Sequence, residues 1–188
     1  MTTTPDIFTN VHKGLRSALF EACLAVGRAT DSRVDSAPAR RLLQEVLHFT
    51  RHHGDNEDTL LLPLLRSRAP EIAHQMEQAH VRIEQALTAL EARAETAPPE
   101  DLHHETAAFI ALYLDHMREE EQLLAPRIRA AIDPATLASF GRDSVQRTAP
   151  ADQRRMIGWM LPAMPHPEAD SYLERLPPDL ADDLRRLL

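Results

Sequence analysis

The chain has 188 residues and a mass of 21.2 kDa, enough for one domain with an apolar core and a helical appendage. Its 29 acidic and 21 basic residues give a net charge of −8, which argues against binding to a nucleic-acid backbone. The single cysteine, Cys23, excludes an internal disulfide and a cysteine-based zinc site. One Trp, two Tyr and five Phe are few aromatic residues, a composition that favours helices over sheets.

The sequence also predicts where the protein resides. No run of about 18 apolar residues occurs, so we expect no membrane-spanning helix and no membrane partner. The first ten residues lack the basic and apolar regions of a signal peptide. We therefore expect a cytoplasmic protein.

Apolar residues at helical spacing, separated by prolines, predict four long helices in the first 132 residues. They are predicted from about Pro5 (with Thr4 as N-cap) to Arg28, from about Pro38, from Pro70 to before Ala97, and from just after Pro99 to about Ile132. Pro63 and Pro126 lie inside the second and fourth patterns, where a proline should kink or end the helix.

Short connections make consecutive helices antiparallel neighbours. The expected fold is therefore all-α, an up-down-up-down four-helix bundle over residues 1–132. Residues 133–188 predict three or four short helices divided by prolines, the first of them capped by Asp133 and started by Pro134. We expect this C-terminal extension to pack on the bundle or to mediate a homodimer.

The distribution of the 10 histidines carries the functional signal. Each predicted bundle helix places one histidine on its apolar face, and two of these histidines are followed four residues later by a glutamate. These residues are His12, His53, Glu57, His80, His116 and Glu120. Burying six polar side chains is costly unless each has a partner. Two metal ions explain the set, each with two histidines and bridged by the two carboxylates, because nitrogen and oxygen ligands suit iron, manganese or zinc.

Several other residue pairs could also bind metal. His48 and His52 are spaced four apart but lie on a polar face, which favours solvated surface. A ferritin-like site would use Glu-x-x-His pairs, which occur at Glu45/His48, Glu71/His74, Glu77/His80 and Glu100/His103. Three of these pairs lie off the apolar faces. In the run 119–121, we expect one buried glutamate and the others to face solvent.

The six residues, in the segments around His12, His53 to Glu57, His80 and His116 to Glu120, resemble the hemerythrin-like HHE cation-binding family over about residues 5–132. The resemblance implies a four-helix bundle around a non-haem di-iron centre, with all six as ligands and both glutamates bridging; zinc or manganese could substitute. Met76 stands where oxygen-carrying hemerythrins place a further histidine. The chain is thus more similar to sensor and stress-response members, and its C-terminal part resembles an extension found in some bacterial members of the family.

Three further residues could assist the centre or replace a ligand. Tyr113 lies one turn before His116, with ordinary core packing as the alternative. Glu84 lies four residues after His80, and Met76 lies four residues before it.

Three functions remain open from the sequence. The first is binding or sensing of dioxygen or nitric oxide at an open iron position. The second is an enzyme that decomposes peroxide or reduces nitric oxide at the same centre. The third is an iron-handling or metal-stabilised structural protein. All three need the same ligands.

Overall fold

Helices make up nearly all of residues 6–186, which the computed structural model describes; the predicted cap at Thr4 and Pro5 lies outside them. In the N-terminal part they are α1 (Thr9–Arg28), α2 (Ala37–Asn56), α3 (Leu62–Arg68), α4 (Pro70–Ala94), α5 (Pro99–Glu119) and α6 (Ala125–Ala131). They are followed by α7 (Pro134–Arg147), α8 (Pro150–Ala163), α9 (His166–Leu173) and α10 (Pro178–Arg185).

The long helices α1, α2, α4 and α5 form the bundle. Consecutive members contact each other, and α5 closes the ring against α1. This is the packing that an up-down-up-down chain requires. The all-α prediction of a four-helix bundle with additional C-terminal helices is confirmed.

Each of the two prolines predicted to kink or end a helix is preceded by a π-helical turn. A π-helical turn, Glu57–Leu61, joins α2 to α3, and a second, Glu120–Leu124, joins α5 to α6. Pro63 and Pro126 follow within two residues. A proline has no N–H, and its ring crowds the carbonyl four residues earlier. The chain accommodates this by widening one turn, after which the helix continues.

The apolar core of the bundle consists of two clusters. The larger contains Leu15, Leu47, Leu87 and Tyr113 among others, and the smaller contains Phe8, Leu65, Met76 and Ile128. Along each long helix, the predicted histidine falls between a residue of one cluster and a residue of the other. The four histidines therefore form a polar layer between two apolar regions.

The C-terminal helices pack against the outside of the bundle, with α8 against α1. A Cβ atom placed on Gly14 of α1 would lie only 3.2 Å from the backbone of Met160, so the two helices meet where α1 has no side chain. Nearby, Trp159 packs edge-on against Phe49 with ring centroids 5.2 Å apart. Asp133 caps α7 by accepting a hydrogen bond from the Thr136 N–H at 2.9 Å, as predicted.

None of the described helices is both long enough and apolar enough to cross a membrane.

Candidate metal centre

The bundle brings all six predicted ligands together in its interior. One histidine comes from each long helix, and a glutamate begins each π-helical turn: His12 on α1, His53 on α2, His80 on α4, His116 on α5, Glu57 and Glu120. All six side chains are buried, and Glu120 is fully so. The spacing of four residues places each glutamate beside the histidine of its own helix.

The ligand atoms form two groups of four that share the glutamates. One group contains His12 and His53 with Glu57 and Glu120; the other contains His80 and His116 with the same two glutamates. Within each group the ligand atoms lie within 4.8 Å of one another. The arrangement offers two sets of ligand atoms that could each hold a metal ion, and both glutamates belong to both sets.

Distances across the layer support this grouping. The Nε2 atoms of His12 and His53 are 3.0 Å apart. His53 Nε2 lies 3.2 Å from Glu57 Oε1, and His116 Nε2 lies 3.3 Å from Glu120 Oε1. His80 Nε2 is 3.5 Å from an oxygen of each glutamate. All four imidazoles therefore turn the same nitrogen atom toward the carboxylates.

Two of these imidazoles also contact an acidic residue through Nδ1, the other nitrogen of the ring. His12 Nδ1 lies 2.9 Å from Glu121 Oε1, and His80 Nδ1 hydrogen-bonds Asp58. An ionised carboxylate only accepts hydrogen bonds, so in the neutral form of each ring Nδ1 carries the hydrogen and Nε2 has the lone pair that a metal requires. Arg16 also donates to Glu121, at 2.8 Å.

The two acidic residues have equivalent places in the chain, since each directly follows a predicted bridging glutamate. Each also contacts the histidine of a different helix: Asp58 reaches α4, and Glu121 reaches α1. Sequence reasoning missed both roles. It predicted that Glu121 faces solvent, whereas the side chain lies between His12 and Arg16. The available signal was a second acid following both His-x-x-x-Glu motifs.

The unpaired atoms of the layer test whether a metal fits. All four carboxylate oxygens of Glu57 and Glu120 are buried and accept no hydrogen bond from the described residues. His80 Nε2 is likewise without a hydrogen-bond partner in that part of the chain. Buried polar atoms without partners cost about 1–3 kcal/mol each, and more when charged. Cations between these atoms would satisfy them, so the residues fit a metal pair.

Burial and mutual charge perturb the acid–base behaviour of the two glutamates in opposite directions. Burial raises the pKa of Glu57 well above its usual value, and the neighbouring Glu120 raises it further. Burial also acts to raise the pKa of Glu120, but His116, His80, His12 and His53 together bring it down to about 2. Without metal, Glu57 therefore holds its proton more strongly than Glu120 does, as expected for two acids that share a site.

The pKa values of His53, His116 and His80 are shifted in different directions. Burial lowers the pKa of His53 and of His116, which favours their neutral, metal-binding form. Burial acts to lower the pKa of His80 too, but the hydrogen bond to Asp58 and the nearby glutamates outweigh it and raise this pKa to about 10. Metal binding at His80 must therefore displace a proton.

A cavity of about 300 Å³ adjoins one side of the centre, between α2 and α4. His80, His116 and Tyr113 form part of its wall. The Tyr113 ring centroid lies 5.6 Å from that of His116 and 5.7 Å from that of Phe109. Tyr113 is thus both a core residue and a neighbour of the site. Burial, reinforced by Glu57, raises the pKa of its hydroxyl well above the ordinary value.

The other residues considered from the sequence lie elsewhere. Glu84 is on the surface, paired with Arg51, and Met76 is fully buried in the smaller apolar cluster. His48 is exposed. Its neighbour His52 is half-covered by the extension, where Nε2 lies 2.8 Å from the Thr148 hydroxyl.

Comparison with known proteins also supports the interpretation of this layer as a metal-binding site. A sequence model of the family described as "Hemerythrin HHE cation binding domain" matches residues 3–128. Neither the curated proteins nor the solved structures that were compared include a match to this chain. The family match covers the four bundle helices and both His-x-x-x-Glu motifs, and ends before α7. The chain therefore belongs to the hemerythrin HHE cation-binding family.

Proposed function

We propose that this protein holds two iron ions in the histidine–glutamate layer and binds dioxygen or nitric oxide there. The observation that carries the proposal is the pair of four-ligand groups sharing Glu57 and Glu120, whose oxygens are buried and unpaired in the described residues. Nitrogen and carboxylate ligands suit iron, with zinc and manganese as substitutes.

The ligand count favours reversible occupation by a small molecule. Each metal position would have two histidines and one oxygen from each of the two shared glutamates, which makes four ligands. An iron ion that prefers five or six ligands would therefore keep coordination sites free. A bound iron pair would supply electrons and a Lewis acid. The chain's own residues orient the imidazoles through Asp58 and Glu121 and surround the layer with apolar side chains that keep bulk water out.

The second candidate function is an enzyme that decomposes peroxide or reduces nitric oxide. The cavity beside His80 and His116 supports it, because Tyr113 forms part of the wall. Burial raises the pKa of the Tyr113 hydroxyl, so the group keeps its proton and can donate a hydrogen bond to a molecule bound in the cavity. Steady-state turnover of peroxide that is lost in His116→Ala would favour this function over binding alone.

Elemental analysis of the purified, iron-loaded chain tests the proposal. We expect two irons per chain, a lower content in Glu57→Ala and Glu120→Ala, and an optical change when the ferrous protein meets either gas. Glu119→Ala is the matched control, because Glu119 precedes Glu120 but belongs to neither ligand group. A single zinc, or no iron after anaerobic loading, would refute the di-iron centre.

Iron binding without any gas or peroxide response would instead favour the iron-handling or structural role. The cytoplasmic location and the homodimer stay predictions. A fractionation experiment and a sedimentation measurement, respectively, would check them.

A further inference from the structure

The cavity beside His80 and His116 opens to the surface between two ion pairs that link the helices on either side. Arg51 of α2 pairs with Glu84 of α4, and Arg66 of α3 pairs with Glu77 of α4 at 2.6 Å. All four residues line the cavity. We call the opening between these two ion pairs the Gly54 window, because Gly54 of α2 lies between them and also lines the cavity.

Gly54 leaves unoccupied space beside α2. A Cβ atom at this position would meet nothing within 4 Å, so the space outside the backbone is empty of protein atoms. Glycine in the middle of a helix costs about 1 kcal/mol relative to alanine. Packing does not demand the glycine here, unlike at Gly14, where Met160 occupies the space. A larger side chain at position 54 would extend into the opening.

The inner end of the cavity reaches only one of the two ligand groups. His80 and His116 line it, whereas His12 and His53 do not. His116 is 7% exposed, and its Nδ1 atom is buried without a hydrogen-bond partner among residues 6–186. His12, in contrast, is fully buried, stacks on Phe8 and uses its Nδ1 atom to contact Glu121.

A second cavity, of about 140 Å³, touches the other group at His53. It lies under the C-terminal extension, and most of its wall is apolar, with Phe140, Met156 and Met160 among the lining residues. Gly141 of α7 also lines it, and a Cβ atom there would likewise meet nothing within 4 Å. The chain thus offers two candidate paths to the centre. Each path is lined by one glycine at which an added Cβ atom would meet no other atom within 4 Å.

Charge at the Gly54 window selects the kind of molecule that can enter. Both arginines are paired with glutamates and Asp58 is paired with His80, so the carboxylate of Asp55 is the excess charge among the residues that line the cavity. An acidic, hydrated opening repels small anions and admits neutral molecules with hydrogen-bonding ability.

We propose that small neutral molecules reach the centre through the Gly54 window and bind at the position held by His80 and His116. This inference rests on the proposed function, since it concerns the molecule that the metal pair would bind. It makes the two metal positions inequivalent, although each has two histidines. Gly54 is then a residue that determines access and does not itself contact the metal.

The matched substitutions Gly54→Leu and Gly141→Leu test the path. Each adds the same side chain to a helix where the Cβ atom meets nothing, so both variants should fold; their melting temperatures check this. Nitric oxide is the probe, and its association with the ferrous, iron-loaded protein is followed by stopped-flow absorbance. We expect Gly54→Leu to slow association about tenfold, equivalent to about 1.4 kcal/mol in the entry barrier. Gly141→Leu should retain the wild-type rate.

A second readout needs no metal. Diethyl pyrocarbonate modifies neutral imidazole, and peptide mass spectrometry resolves each histidine. In the metal-free wild type, His116 should be modified faster than the fully buried His12, and Gly54→Leu should remove that difference. If Gly54→Leu folds poorly, Val81→Trp narrows the same opening from α4, where Val81 is 57% exposed and lines the cavity.

The outcomes separate the path from the function. If the iron-loaded wild type binds no nitric oxide, the proposed function loses its support, while the modification rates of metal-free protein still decide whether the window is open. Unchanged rates in Gly54→Leu in both readouts would overturn the inference. A slower association in Gly141→Leu alone would overturn it too, and would assign entry to the cavity under the extension.

Discussion

Asp58 and Glu121 each hold a histidine of the centre by its Nδ1 atom. The hydrogen bonds from His80 and His12 fix the ring orientation and leave Nε2 free for a metal. At His80, the hydrogen bond to Asp58 and the charges of Glu120 and Glu57 raise the pKa of the ring to about 10 despite burial. These two acids should therefore affect metal affinity without contacting a metal.

Asp58→Asn tests this at the residue scale. The amide keeps the size of the side chain and can still accept a hydrogen bond, but the negative charge is lost. We expect iron affinity to fall about 10–100-fold, the usual cost of removing such a partner. Competition with a chelator of known affinity measures it. Asp55→Asn is the control, because Asp55 lines the same cavity without contacting His80; equal affinities in both variants would contradict the assigned role.

At the scale of whole elements, the π-helical turns and the crossing of α1 with α8 shape the site's surroundings. Each turn begins at a glutamate of the centre and ends shortly before a proline. The crossing of α1 and α8 depends on Gly14, where a Cβ atom would come within 2.7 Å of Met160 Cγ. The sequence places Gly14 two residues from His12, so the extension packs against α1 beside the metal centre.

Gly14→Ala should destabilise the protein. Alanine is the better helix former by about 1 kcal/mol, but forcing a methyl group into a packed contact costs about 1–3 kcal/mol, and here the backbone of Met160 must shift. We expect the melting temperature to fall by about 2–4 °C for each kcal/mol of net loss. Gly141→Ala, with nothing near its added methyl group, should raise it. If the Gly14→Ala protein were as stable as Gly141→Ala, the contact between α1 and α8 would have to accommodate a methyl group without loss of stability.

The bundle was predictable from the sequence because burial follows helical geometry. Residues such as Phe8, His12 and Leu15 repeat every three or four positions, which defines one face of a helix, and that face became the core. The same periodicity selected one inward histidine per helix. Local spacing was therefore enough for the fold and for the grouping of candidate ligands.

The remaining features depend on how helices pack against each other, which local spacing does not encode. Glu121 and Asp58 lie beside the apolar stripe, where a charged residue normally indicates solvent, and only the register between helices brings them to His12 and His80. The widened turns before Pro63 and Pro126 likewise depend on how the freed carbonyls are accommodated. The opening at Gly54 is visible only once α4 lies opposite α2.

For the molecule as a whole, the polar layer separates two apolar clusters that would otherwise form one core. Without metal, burial of Glu57 and Glu120 opposes folding, because their oxygens have no hydrogen-bond partner in the described residues. A metal pair would link four helices and remove that penalty. Metal binding and folding stability are therefore coupled, since only the folded chain assembles the six ligands.

Iron loading should accordingly raise the melting temperature. An ion present at about 100 times its dissociation constant stabilises the folded state by about 2.7 kcal/mol, which corresponds to roughly 5–10 °C for a chain of this size. Scanning calorimetry of the protein with ferrous iron and with excess chelator measures the difference under anaerobic conditions. Glu119→Ala should retain the full shift, whereas Glu120→Ala should lose most of it, because Glu120 belongs to both ligand groups and Glu119 to neither. An equal shift in the two variants would mean that iron stabilises the protein at some place other than the layer between the two apolar clusters.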